Sequence, residues 1–322
     1  MRRRELIAGL GAAAAWPSAA GAQEPNRTYR LGFFVPIPRD GPALIAIFDE
    51  LRKGGFIEGR NLVVVPGGLD VGNDNLAEQA AALVRAKPDA IVSGPELHTR
   101  AVQQLTRSIP LIAITEDMVA EGLVASLARP GGNTTGISLL SPELDGKRQE
   151  ILIEAVLGAQ RIAVLADSNI ARPSHLGALQ GAARARGIEP LVLAVARPEE
   201  IPAAVDKAKT LGAQGLNVLA SPMLFVHRRI AIERLTAVRL PAIYQWPDMV
   251  EEGGLLGYGP RFAAVQRQRA RMVVKILRGA GPADAPVEQP TKFELAIDLK
   301  TAKAIGHEFT LSLLQRADQV IE

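Results

Sequence analysis

Short β-branched apolar runs alternate with longer amphipathic stretches along most of this chain, and that alternation limits the folds open to it. Strands are predicted at 31–35, 62–65, 90–93, 111–115, 161–166, 191–195, 216–220 and 242–245, with helical periodicity between them over 43–53, 75–86, 96–107, 143–157, 174–186, 199–211 and 223–238. Strands that alternate with helices build parallel sheets covered on both faces. Pro88, Pro110, Pro190 and Pro241 stand at strand starts, where a missing N–H is tolerated. Gly187 and Gly212 stand where helix C-terminal glycines belong. A length of 322 residues suits about two domains. Aromatic residues are 4% of the chain, so Ala, Val, Leu and Ile must fill most of the core.

The alternation is also doubled. Residues 110–122 read PLIAITEDMVAEG and residues 241–253 read PAIYQWPDMVEEG, a constant offset of 131 with seven of thirteen positions identical. RLGFFVP, DAIVSGPEL and IPLIAITEDM follow one another in the first half as RIAVLADSN, GLNVLASPML and LPAIYQWPDM do in the second. The expected fold class is therefore α/β, with two Rossmann-like doubly wound lobes; the competing explanation is a chance echo between two α/β segments. Glycine-rich passages at 127–148 and 252–265 follow the two copies and are read as places where the chain crosses between lobes. Pro282, Pro286 and Pro290 mark an extended third crossing near 286–291. On this reading one lobe takes 23–138 and about 258–288, and the other takes 139–257 and about 289–322. The repeated Asp117 and Asp248 are expected to cap a helix in each lobe.

The first 22 residues stand apart. MRRR is a basic start, LIAGLGAAAA is an apolar run too short to span a bilayer, and Ala20-Gly21-Ala22 is a small-x-small cleavage site. This is a secretory signal peptide, and Arg3-Arg4-Glu5-Leu6-Ile7 favours the twin-arginine route. The expected location is the periplasm, with the mature protein not embedded in the membrane. Arg2, Arg3 and Arg4 against Glu5 carry +2 of the whole chain's +3, which leaves the mature part near +1 and gives no argument for nucleic acid. The absence of cysteine excludes disulfides, thiolate metal sites and cysteine nucleophiles.

Motifs for chemistry are absent or misplaced. Gly9-Leu10-Gly11 with Ala14 mimics a dinucleotide fingerprint but sits in the leader. Residues 129–136, RPGGNTTG, lack the Lys-Ser/Thr ending of a phosphate loop and precede a strand, so they are read as a turn or hinge entry. His98, His175, His227 and His307 have no metal-ligand spacing, and no metal or other cofactor is expected. Geometry then has to supply the site. In open α/β sheets, ligands sit beyond the carboxyl ends of the strands, and two lobes would turn those ends toward one cleft. The strand exits nominate Pro36, Ile37, Arg39, Ser93, Gly94, Glu96, Thr115, Glu116, Asp167, Ser168, Arg172, Ser221, Met223, Gln245 and Trp246, with Tyr258 at a crossing. Trp246 and Met223 offer packing for an apolar ligand body, and Arg39 and Arg172 offer partners for a carboxylate. Ser93 and Ser221 could equally cap the helices that follow them.

The residues GLVASLARPGGNTTGIS (122–138), SPMLFVHRRIAIERL (221–235), LPAIYQWPDMVEEGGLLGYGP (240–260), PVEQPTKFELAIDLKTAKAIG (286–306) and the terminal LLQRADQVIE carry a resemblance. The mature chain resembles the tryptophan/tyrosine-type substrate-binding proteins of periplasmic ABC transporters. That resemblance implies a type I binding-protein fold with a hinge. It also implies capture of a small solute, delivery to an inner-membrane ABC permease, and action as a monomer without catalysis. The segments FVPIPRDGP, SGPELHTRA, TEDMVAEG and ADSNIARPSH depart from the family's usual strand exits. They add Arg39, Glu96, Glu116 and Arg172, which points toward a polar or carboxylate-bearing solute. Two other readings remain open: a secreted α/β enzyme using Glu96, His98 or His175 as acid/base, and an orphan ligand sensor.

Overall fold

The computed structural model describes residues 27–322, and the leader read over 1–22 lies outside them. The chain begins with β1 (Tyr29–Phe34), α1 (Pro42–Lys53), β2 (Leu62–Val64), α2 (Leu76–Arg85), β3 (Ala90–Ser93), α3 (Glu96–Gln103), β4 (Leu111–Thr115) and β5 (Thr134–Ser138). It continues through α4 (Ser141–Ala155), β6 (Arg161–Asp167), α5 (Pro173–Arg184), β7 (Glu189–Val195), α6 (Ile201–Thr210), β8 (Gly215–Val218), α7 (Pro222–Val226), α8 (Arg228–Ala237), β9 (Ala242–Tyr244), α9 (Asp248–Glu251) and β10 (Leu256–Gly259). The last elements are α10 (Phe262–Leu277), β11 (Glu294–Asp298), α11 (Leu299–Ile305), α12 (Leu311–Arg316) and β12 (Gln319–Ile321).

Among the described residues these strands form two sheets. One has the order β2-β1-β3-β4-β5 and is parallel throughout. The other has the order β12-β11-β10-β9-β8-β6-β7, parallel except where β11 runs against β10. With β6 counted as a first strand, the second sheet repeats the 2-1-3-4-5 order of the first and adds β11 and β12 at its edge. The doubled phrase falls at the same place in both, on β4 and on β9. The sequence reading of two doubly wound α/β sheets therefore describes the molecule. Each sheet is a nearly unbroken apolar layer, with Leu31, Phe33, Ile91, Val92, Leu111 and Ile112 buried in one and Ile162, Val164, Leu165, Leu216 and Ile243 in the other.

Several elements were not legible, β5 and α12 among them. Residues 256–259 were read as part of a crossing; they form β10, between β9 and β11. The α10 helix was not predicted at all, and residues 319–321 add a parallel edge strand to β11. Glycine explains the β10 case. A side chain on Gly259 would place its Cβ 2.2 Å from the Gln245 carbonyl oxygen. On the corresponding strand of the first sheet, Gly136 has φ +148°, and a Cβ there would lie 2.0 Å from the Ala113 oxygen. Glycine lowers strand propensity, yet at Gly136 and Gly259 the neighbouring backbone passes too close for any side chain. The RPGGNTTG segment, read as a turn or hinge entry, is a turn only in its first part: Thr134, Thr135 and Gly136 already belong to β5.

The α10 helix leaves the end of the second sheet and packs on α1 and against β3, β4 and β5 of the first. Residues 285–288 continue along β5, where Thr135 Oγ1 donates to the Ala285 carbonyl at 2.7 Å and Glu288 N donates to the Gly136 carbonyl at 2.8 Å. The chain then returns to the second sheet as β11. The two repeated aspartates do different work. Asp117 Oδ1 accepts from Ala120 N at 3.0 Å and closes a turn. Asp248 is the first residue of α9, and its Oδ2 accepts from Phe262 N at 3.1 Å, tying α9 to the start of α10. A common capping role was the wrong expectation, because only the second lobe has a helix start to be held there.

Substituting Gly136→Ala forces a Cβ into the β4 backbone at a positive φ. The expected loss is roughly 2–4 kcal/mol of unfolding free energy, read from urea denaturation. A loss below about 0.5 kcal/mol would show that β5 can move away from β4.

Candidate functional site

The carboxyl ends of both parallel sheets face one cleft. Its inner chamber is about 430 Å³, and it draws Val35, Pro36, Ile37, Gly94, Ile114, Thr115 and Glu116 from the first sheet's exits. Ser221, Phe225, Gln245 and Trp246 come from the second sheet's side, and Phe262, Gln266 and Arg269 come from α10. A second chamber of about 680 Å³ adjoins it and shares Pro95, Glu116 and Pro222 with it. That chamber is more polar, with Glu96, Asp117, Glu121, Asp145, Asp167, Arg172, His175 and Met223 on its walls.

The aromatic wall of the inner chamber is a packed triad. Phe225 and Phe262 have ring centroids 4.9 Å apart, Trp246 and Phe262 are 5.1 Å apart at 72°, and Phe225 and Trp246 are 6.0 Å apart. Trp246 is only 2% exposed, so it is a buried wall rather than a free lip. The Arg228 guanidinium lies over the Phe225 ring at 4.7 Å and pairs with Glu252 at 2.7 Å.

Charged groups between the sheets are mostly paired. Arg148 and Asp145 are both buried, joined at 2.6 Å, and Arg148 also donates to the Tyr258 carbonyl at 3.0 Å. His175 Nε2 is 3.6 Å from Asp145. Asp167 accepts from Ser221 Oγ at 2.8 Å, and Ser221 Oγ in turn accepts from Leu224 N at 3.2 Å, so Ser221 caps α7 while holding Asp167. Glu116 accepts from Ser141 Oγ and, at 3.4 Å, from Gln245 Nε2, a contact that joins a β4 exit to a β9 exit. Burial pushes the Glu116 carboxyl up to about 6 against the pull of the Ser141 hydrogen bond. Burial likewise raises Glu121 to about 7. Arg269 is fully buried. Its Nη1 donates to the Ser93 carbonyl at 3.1 Å, while Nε and Nη2 have no partner, nor do the two side-chain polar atoms of Gln266. Burial draws the Arg269 guanidinium down to about 9.

Of the nominated residues, Pro36, Ile37, Gly94, Thr115, Glu116, Ser221, Gln245 and Trp246 line the inner chamber. Glu96, Asp167, Arg172 and Met223 line the second chamber. Four lie elsewhere. Arg39 is exposed, paired with Glu58 and laid over the Phe48 ring at 5.2 Å. Ser93 is buried behind the cleft, where its hydroxyl meets Thr99 Oγ1 at 3.1 Å; it does not cap α3. Ser168 Oγ donates to the Val195 carbonyl at 3.2 Å. Tyr258 stacks on Phe293, with centroids 6.4 Å apart, on the second sheet. His98, a candidate acid/base, is buried against Phe34 with Nε2 2.8 Å from the Val71 carbonyl. The sequence reading missed Phe225, Phe262, Gln266 and Arg269. A signal existed for the last three: positions 262, 266 and 269 share one helical face with Val273 and Ile276. Two polar residues interrupt an otherwise apolar stripe there.

Comparisons with known proteins agree with this architecture. Residues 45–321 match the family described as ABC transporter substrate binding protein. A tyrosine-binding protein of Clostridioides difficile (strain R20291) is 26% identical over 275 residues, 80% of this chain and 76% of that protein. A conserved domain protein of Vibrio cholerae superposes with TM-score 0.80 at 22% identity, covering 92% of this chain and 99% of that one. A Streptococcus pneumonia ABC domain in complex with L-Trp gives TM-score 0.78 at 23% identity, covering 92% and 100%. The fold is that of these solved structures, and with the family match spanning most of its length the chain belongs to the ABC transporter substrate-binding proteins.

Proposed function

We propose that the mature chain is the periplasmic solute receptor of an ABC importer. It takes an amino-acid-sized solute into the cleft and presents the closed form to an inner-membrane permease, acting as a monomer. The observation that carries this reading is the convergence of both sheets' strand exits on one chamber with an aromatic wall. A volume near 430 Å³ suits a single small molecule, and the triad of Phe225, Trp246 and Phe262 suits one with an apolar or aromatic body. The relatives named for tyrosine and for L-Trp support the same solute class. Among the described residues no helix is long and apolar enough to cross a membrane, consistent with a receptor that meets its permease from outside the bilayer. Binding acts by favouring the closed member of an open–closed pair, so a solute that touches both lobes shifts that equilibrium.

The test is a thermal-shift screen of residues 23–322 against amino acids, aromatic acids, dicarboxylates and sugars. A cognate solute at a hundred times its Kd should stabilise the folded state by about 2.7 kcal/mol. Recovery of a stabilising compound in chemically altered form would replace the receptor with an enzyme. Silence across all classes would remove the solute reading altogether.

Glu116 gives this cleft a pH signature. Its folded-state carboxyl is raised from 4.5 to about 6 by burial. The folded protein therefore takes up the proton first, and this group's stabilisation is present below pH 4.5 and lost as pH rises through about 6. Above that, the cost is about 2 kcal/mol. Glu116→Gln should melt higher than the parent at pH 7.5 and match it near pH 4.5. Parallel melting profiles for the two proteins across that range would contradict the assignment.

A further inference from the structure

The most deeply buried cation of the inner chamber has no counter-charge. Among the described residues no carboxylate forms an ion pair with Arg269. The acids on the same chamber wall are committed elsewhere: Glu252 to Arg228, Asp248 to Phe262 N, and Glu116 to Ser141 and Gln245. Asp70 stands exposed on the same wall. An uncompensated buried charge is costly to a fold, and a side chain kept in that condition needs a reason.

The orientation of the guanidinium supplies one. Nη1 is anchored on the Ser93 carbonyl at the end of β3. The two unpartnered nitrogens, Nε and Nη2, form a side-on fork that can donate to both oxygens of a carboxylate. Gln266 precedes it by one helical turn on α10, with its amide unpartnered as well and on the same chamber wall. Phe262 lies one further turn back and belongs to the aromatic triad. One helix face therefore carries an aromatic ring, a neutral amide and a cation in order, the amide and the cation fully buried at the chamber wall.

We infer that Arg269 and Gln266 are the receptor for a carboxylate group of the solute, whose apolar portion lies along Phe225, Trp246 and Phe262. This rests on the inner chamber being the solute site. It adds that the solute must be a carboxylic acid, and it names α10 as the specificity-determining element. Neutral sugars and polyols would leave the fork unsatisfied. A tie that only holds α10 to β3 would need one nitrogen of the guanidinium and would leave the amide of Gln266 without purpose.

Titration calorimetry on the mature protein decides it. The probes are L-phenylalanine, L-tyrosine, L-tryptophan and 3-phenylpropanoate, each beside its primary amide, with D-ribose as a neutral control. The expected result is that at least one acid binds and its amide binds about 30-fold more weakly or worse. Arg269→Lys, which keeps the charge and loses the fork, should weaken the acid about tenfold. Arg269→Met should lose the preference for acid over amide, while its unliganded melting temperature stays level or rises as the unpaired charge is removed. If Arg269→Met does not fold, the arginine is a structural tie and the inference fails on that ground unless the parent still separates acid from amide. Equal binding of acid and amide by the parent overturns the inference and leaves the receptor reading standing, as does binding of D-ribose alone. Binding by none of these probes overturns the inference, whereas the wider screen above judges the receptor reading.

Discussion

The packing of α10 on α1 holds together two sheets between which the chain passes after β5, through α10 and before β11. The helix starts at the end of a strand in the second sheet and buries Val265, Val273, Ile276 and Leu277 against the first. The approach is close enough that a Cβ on Gly54, just beyond α1, would lie 2.5 Å from Val274 Cγ2. Arg278 completes the join by donating to the Gly54 carbonyl at 2.9 Å. With that docking in place, the carboxyl ends of both sheets are brought to face each other, and the opening of α10 becomes part of the chamber between them.

Residues that line the cleft divide by how they are held. The aromatic triad is locked by its own packing. Asp145 and Arg148 neutralise each other in the interior, and Asp167 is fixed by Ser221. Thr115 Oγ1, Glu121 Oε2 and His175 Nε2 also lack hydrogen-bond partners, but Arg269 and Gln266 are the residues of the cleft with two free side-chain atoms each. Buried polar groups find partners in nearly all folded proteins, so the exceptions are where a ligand has something to contribute. Glu116 occupies the other special place, at the contact between the exits of β4 and β9, where its protonation alters the balance of charge in the cleft.

Much of the fold was legible because it is written in local patterns. Eight strands and most helices follow from β-branched runs and periodicity, and the doubled phrase located the same strand in both sheets. The misses have a common cause. The β10 strand alternates glycine with Leu256 and Tyr258 because residues 245–250, just past β9, crowd the positions of Gly257 and Gly259, so its sequence reads as a loop. The α10 helix carries Arg267, Arg269 and Arg271, which obscure its apolar stripe. Of the site, strand exits found most of the lining from β-strands and nothing from α10, because exit residues are named by position along the chain whereas α10 reaches the cleft from the far end of a crossing.

By itself, the sequence determined that the chain alternates strand and helix, that it does so twice in the same order, and which residues leave the strands at their carboxyl ends. These follow from periodicity and local propensity, which act over a few residues. Only the tertiary structure decided which of those residues share a chamber. Arg39, for one, is turned outward to Glu58, while Arg269, more than two hundred residues along the chain, is carried inward. The reason is physical: whether a charge is solvated or buried without a partner depends on what packs around it from distant parts of the chain, and no local pattern records that.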